Sequence, residues 1–128
     1  MKITRLEILV ALGIAALIAV AAYAGVPRAL GAHPWWAAQT GMIGAALGFA
    51  VFVIARLLGL APGWVAALAA LVLLAAFASA YFGKSAFVNA EAFNAAAGRV
   101  WYFSWIALTA SAGVLAAGLF ATLSPRNP

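Results

Sequence analysis

Only three side chains in this sequence could act as carboxylate or imidazole acid–base groups near neutral pH: Glu7, His33 and Glu91. They lie in three different regions of the chain. The chain has no cysteine, which excludes disulfides, thiolate catalysis and cysteine metal sites. A single histidine does not supply the three or four ligands of a metal site within one chain. We therefore expect no catalytic residues, no metal, no cofactor and no enzyme activity.

His33 and Glu7 each have an ordinary structural interpretation. His33 lies in the sequence AHPWW, where proline suits the start of a helix and tryptophan prefers the lipid headgroup level. We expect His33 to anchor this turn at the membrane interface. Glu7 lies near the start of the first apolar segment. There we expect it to complement the helix dipole, or to pair with Arg5 or Lys2.

The largest group of polar residues falls in one connection, at 83–99. It is longer than a tight helix hairpin requires. Its alanine content favours a short helix in the interface, or an outward extension of the last apolar segment, with Phe87 and Phe93 dipping into lipid. The alternative is a gate or docking site, in which Glu91 pairs with Lys84 or Arg99 and asparagine side chains bind a headgroup or a partner. The candidate docking or gating residues are Lys84, Asn89, Glu91, Asn94 and Arg99.

The amino-acid composition indicates whether the chain lies in water or in a lipid bilayer. Of 128 residues, 69% are hydrophobic and only 7% are charged, whereas soluble domains keep about a quarter of their residues charged. The net charge of +5 comes from scattered cations that form no basic stripe, so we expect no nucleic-acid partner. The sequence predicts one integral membrane domain over residues 1–128, with the lipid bilayer as its surroundings. We expect it in the inner (plasma) membrane of a bacterium.

Four apolar segments have about the length needed to cross the hydrocarbon of a bilayer. They cover about 6–26, 35–55, 64–82 and 100–123. Their connections are short, which predicts an all-α four-helix transmembrane bundle with up-down-up-down topology, in which consecutive helices are antiparallel neighbours. A short interfacial helix is expected between the third and fourth segments. The start of the chain also resembles a cleavable secretory signal, but its apolar run is long for a signal core.

The orientation of the bundle follows from the positions of its cations. Lys2, Arg5, Arg56 and Arg126 fall on one side, and Arg28, Lys84 and Arg99 fall on the other. The cations next to the first segment favour cytoplasmic termini. Because the two sides nearly balance, the alternative is a dual topology in which copies insert both ways and pair antiparallel. Labelling of the chain from one side of its native membrane distinguishes these two expectations.

Small residues at helical spacing predict where the segments pack. In lipid, helix association depends on close backbone approach, which glycine, alanine and serine permit. The predicted helix-packing residues are Gly41, Gly44, Gly48, Ser104, Ser111 and Gly118. These faces either pack the four helices together or leave one face for a second chain.

These observations favour a non-catalytic membrane subunit that packs against another chain in a larger bioenergetic, transport or assembly complex. The alternative is a small homo-oligomeric transporter or channel for a lipophilic or uncharged solute, with serine and threonine of the last helix lining its path. An enzyme that acts on a lipid or a quinone is a third reading, and it depends on the connection at 83–99. The native mass of the assembly separates the first two hypotheses.

Overall fold

The computed structural model describes residues 2–124 of the chain, and in that range it is all-helical, without strands. Four of its helices are long and apolar enough to cross a membrane, as predicted. The fifth is a single turn that follows the first long helix. In chain order the helices are α1 (Arg5–Tyr23), α2 (Val26–Ala29), α3 (Ala37–Leu57), α4 (Pro62–Val88) and α5 (Ala95–Leu123).

Local sequence signals define where these helices begin and end. α1 begins with a capping box in which the Thr4 side chain accepts from the Glu7 backbone N–H and the Glu7 carboxylate accepts from the Thr4 backbone N–H. α4 begins at Pro62, which needs no backbone donor in the first turn. Between α1 and α2, Gly25 has a φ of 97°, a left-handed conformation that favours glycine and ends the first helix.

The connection at 83–99 contains no separate interfacial helix; the alternative expectation, an outward extension of the last apolar segment, agrees with the structure. α4 continues to Val88, and α5 begins at Ala95, where the Asn94 side chain accepts a hydrogen bond from the Ala97 N–H. Gly83 lies inside α4 rather than at its end. Because glycine has no side chain, α4 can approach the backbone of Trp101 closely at this position. The short extra helix is instead α2, between the first two long helices.

The four long helices run antiparallel to their chain neighbours, but they do not form a symmetric square. α5 is central and packs along α4, α3 and part of α1, while α1 packs mainly on α3. α3 and α4 have very few contacts with each other although a short loop joins them. The reason lies in α4, whose buried small residues, including Ala66, face α5 at Gly118. Within the described chain, α4 is therefore held almost entirely by α5.

Close backbone approach at glycines holds the remaining helices together. A Cβ atom added to Gly48 would lie 2.6 Å from the carbonyl oxygen of Ala110. A Cβ at Gly44 would overlap the Thr109 hydroxyl, and a Cβ at Gly41 would overlap the Ala22 side chain. The glycines of α3 are therefore in direct contact with α5 and α1 and do not form a free surface.

Candidate functional site

A buried ion pair lies at the end of the bundle where α1 begins and α5 ends, which we call the terminal end. Arg56, near the end of α3, is 1% exposed, and Glu7, in the first turn of α1, is 4% exposed. Arg56 Nε lies 2.8 Å from Glu7 Oε1, and the second carboxylate oxygen lies 3.3 Å from Arg56 Nη2. Glu7 thus pairs with Arg56 rather than with Arg5 or Lys2, because the topology brings the end of α3 beside the start of α1.

Backbone carbonyls complete the surroundings of the Arg56 guanidinium. Arg56 Nη1 donates to the Leu60 carbonyl oxygen at 2.8 Å, and Nη2 donates to the Lys2 carbonyl oxygen at 3.4 Å. One side chain therefore joins the residues before α1, α1 itself, α3 and the loop that leads to α4. With its charge paired and its donors used in this way, Arg56 has a structural role in the bundle rather than a ligand-binding one.

Aromatic side chains form a pocket at the other end of the bundle, which we call the loop end. We call this pocket the aromatic bowl, and its volume is about 520 Å³. The bowl is built from the turn before α3, the end of α4 and the start of α5. Its lining includes His33, Trp35, Trp36, Phe87, Phe93, Arg99, Trp101, Tyr102 and Phe103.

Ring contacts and hydrogen bonds fix the positions of the groups in the bowl. The His33 ring stacks on Trp36 with a centroid distance of 5.5 Å and meets Trp101 edge-on at 5.3 Å. His33 Nδ1 accepts a hydrogen bond from the Trp35 N–H at 3.1 Å, so the proton of a neutral His33 ring is on Nε2. Trp101 Nε1 donates to the Gly31 carbonyl oxygen at 3.2 Å. The His33 Nε2–H has no protein acceptor within the described range 2–124.

The five residues predicted for docking or gating are not brought together at one site. Arg99 lines the bowl, whereas Asn94 caps α5. Lys84, Asn89 and Glu91 are exposed. In the described part of the chain no ion pair joins Glu91 to Lys84 or to Arg99. Of the predicted set, Arg99 is the residue that lines the bowl.

A cleft opens between α3 and α4, where these helices fail to pack on each other. We call it the lateral cleft; its volume is about 320 Å³. Its floor is formed by α5, and its lining is apolar apart from Ser111, whose hydroxyl donates to the Leu108 carbonyl oxygen at 3.1 Å. The lining residues are Val51, Ala55, Leu60, Val65, Leu68, Ala69, Val72, Ala107, Ala110, Ser111 and Val114.

A third concave surface runs between α4 and α5 from the bowl toward the lateral cleft. We call it the α4–α5 groove. It shares Arg99 and Phe103 with the bowl, and Val72 and Ala107 with the lateral cleft. Its other lining residues are Ala75, Ala76, Ser79, Val100 and Ser104. The three surfaces therefore form one continuous path along α5.

Sequence reasoning missed both the ion pair and the bowl, although the sequence contained signals for each. An up-down topology places Glu7 and Arg56 at the same end of the bundle, which permits an ion pair but does not establish that α1 packs on α3. The same topology brings His33, Trp36 and Trp101 to the opposite end. Glu7 was interpreted with its sequence neighbours Arg5 and Lys2, and His33 was interpreted as an interfacial anchor.

The helices define the class of this protein. Four helices long and apolar enough to cross a membrane indicate an all-α membrane protein with a four-helix bundle. Among the described residues, no group of three or more histidine or carboxylate side chains could hold a metal ion. Compared with known protein families, curated proteins and solved structures, the chain matches none of them.

Proposed function

We propose that this protein is a non-catalytic subunit of a larger membrane complex, and that a transmembrane helix of another chain occupies its lateral cleft. The observation that carries this proposal is the separation of α3 from α4, which leaves the α5 floor reachable from the lipid. We further propose that the complex lies in a bacterial plasma membrane with both termini of this chain in the cytoplasm.

The apolar lining and small residues of the lateral cleft suit a transmembrane helix of another chain. Helices in lipid gain little from hiding leucine and associate where small residues allow close backbone approach. Ala55, Ala69 and Ala107 supply such residues in the cleft. The glycine faces of α3 and α5 are already used inside the bundle, which leaves the cleft for a second chain.

The alternative of a transporter with a weakly polar path has less support. Two of the hydroxyls expected to line that path, those of Thr109 and Ser111, bond to backbone carbonyls. Thr109 Oγ1 lies 3.0 Å from the Trp105 carbonyl oxygen and 3.2 Å from that of Thr40 in α3. Ser111 bonds to its own helix in the same way. These contacts stabilise helices and leave little polarity for a solute.

The test is affinity purification of the tagged full chain from its native membrane in a mild detergent, with matched tryptophan variants. Ala107→Trp fills the cleft, whereas Ala116→Trp adds the same side chain to an exposed position of α5 outside it. Overpacking of this kind costs about 1–3 kcal/mol, so we expect Ala107→Trp to retain about tenfold less partner than Ala116→Trp. Thermal unfolding of both purified variants checks that the bundle is intact.

Two results would contradict the proposal. One is a wild-type chain that leaves its native membrane only as a monomer or as a symmetric oligomer of its own copies, and the latter would favour the transporter hypothesis. The other is equal partner retention by the Ala107→Trp and Ala116→Trp variants, which would place the partner on another face.

A further inference from the structure

We infer that the loop end of the bundle carries a binding site for an anionic phospholipid, with its phosphate at Arg99 and an acyl chain in the α4–α5 groove. This inference does not depend on a partner in the lateral cleft. It rests on a cation without an ion-pair partner among residues 2–124, on hydrogen-bond donors in the same pocket lining, and on an apolar groove that this cation also lines.

Charge is the first part of the argument. Arg99 is exposed and lines both the aromatic bowl and the groove. In the described part of the chain no carboxylate pairs with it. A guanidinium binds phosphate oxygens well because its N–H donors form a planar fork. An arginine at the headgroup level with no protein anion therefore matches an anionic headgroup.

The bowl supplies further donors next to Arg99. His33 Nδ1 accepts from the Trp35 backbone, so the ring proton is on Nε2, and no acceptor within residues 2–124 bonds to it. His33 lines the same pocket as Arg99. Tyr102, whose side chain carries a hydroxyl donor, belongs to the same lining. Aromatic rings around these groups suit the headgroup and glycerol level of a bilayer, where one edge is polar and the rest apolar.

The groove matches the apolar part of the same ligand. From Arg99 to Ala107 it follows α5 for about 12 Å, close to the depth of one hydrocarbon leaflet, which is about 15 Å. Its walls are apolar apart from Ser79, Ser104 and Arg99 itself. A helix placed there would cover the Arg99 charge without supplying an anion. A phospholipid supplies both the anion and the chain.

Native mass spectrometry of the full chain in detergent tests this site. Dioleoylphosphatidylglycerol and dioleoylphosphatidylcholine are compared at equal concentration, and we expect the wild type to retain the anionic lipid preferentially. One cation near an anionic headgroup contributes about 1 kcal/mol, so Arg99→Gln should weaken retention of phosphatidylglycerol by about fivefold. The matched control is Arg28→Gln, since Arg28 is an exposed cation of α2 outside the bowl and the groove.

A second pair of variants tests the acyl chain. Ala75→Trp fills the groove without touching the lateral cleft, whereas Ala78→Trp lies on α4 outside the groove. We expect Ala75→Trp to weaken retention of both lipids and Ala78→Trp to leave it unchanged. The site would be refuted by a wild type without a preference for phosphatidylglycerol, or by equal losses in Arg28→Gln and Arg99→Gln. Displacement of the lipid by inorganic phosphate alone would show a free-anion site and also refute it.

Discussion

Individual charges in this protein are few, and the two that are buried within residues 2–124 form an ion pair. Glu7 and Arg56 lie among apolar helices, where an unpaired charge is strongly unfavourable. The capping box places the Glu7 carboxylate beside the start of α1, and the Leu60 and Lys2 carbonyls help to hold the guanidinium. The pair therefore holds the start of α1, the end of α3 and the loop that leads to α4 together at the terminal end of the bundle.

Removing one partner of this pair should destabilise the fold strongly. Arg56→Leu leaves the Glu7 carboxylate buried without a counterion, and Glu7→Leu does the same to the guanidinium. Each should lower the free energy of unfolding by about 3–5 kcal/mol. The measurement is reversible unfolding in detergent micelles, and the control is Arg5→Gln, which changes an exposed cation near Glu7 and should cost less than about 0.5 kcal/mol.

The double variant Glu7→Leu/Arg56→Leu completes the cycle. It removes both charges, so it should be markedly less destabilised than the sum of the two single variants. A double variant whose loss equals that sum would mean that the two side chains do not interact, and the ion pair would have no energetic role.

Sequence analysis could predict the role of Glu7 at the helix start but not its partner. A carboxylate in the first turn is a local signal, and the capping box depends on residues only three positions apart. Arg56 lies 49 positions away from Glu7 in the chain. Pairing them requires the packing of α1 on α3, which the spacing of residues within one segment does not contain.

At the scale of helices, glycine position determines which faces meet. Gly48 of α3 lies against the α5 backbone. Between α4 and α5, close approach occurs at Gly83 of α4 and at Gly118 of α5. A Cβ at Gly83 would lie 2.8 Å from the backbone nitrogen of Trp101. Because the neighbours at these positions are backbone atoms, they cannot move aside as a side chain would.

Two alanine substitutions separate this packing effect from helix propensity. Gly48→Ala should lower the free energy of unfolding by about 1–3 kcal/mol, because the new methyl group meets the Ala110 carbonyl. Gly13→Ala in α1 should be neutral or stabilising, since a Cβ there has no neighbouring atom within 4 Å and alanine favours helix. Unfolding in detergent micelles measures both. Similar effects of the two substitutions would contradict the packing of α3 on α5.

The existence of the four long helices was predictable, but their ends and partners were less so. Apolar length alone marks a membrane segment. The third and fourth segments were predicted to leave 83–99 between them, whereas α4 and α5 take up all but 89–94 of it. Gly83 and Arg99 were interpreted as boundaries, yet both lie within helices. Asn94, through its cap on Ala97, is the residue that starts α5.

At the scale of the whole molecule, the arrangement around α5 matters most for function. Short connections correctly predict antiparallel direction, but they do not determine which helices pack together. α4 follows α3 in the chain and packs on α5 instead, which opens the lateral cleft. The sequence could not predict this cleft, because it arises from the small residues of α4 facing α5 rather than α3.

Photocrosslinking in the native membrane tests most directly whether a helix of another chain occupies the lateral cleft. Leu68 lines the lateral cleft, and Leu74 lies on α4 outside it; both are exposed. With benzoylphenylalanine at either position, we predict that Leu68 yields a discrete crosslink to a different membrane protein and that Leu74 does not. Crosslinks of equal yield to the same protein from both positions, or a product from Leu68 that contains only lipid or a second copy of this chain, would contradict the proposed subunit function.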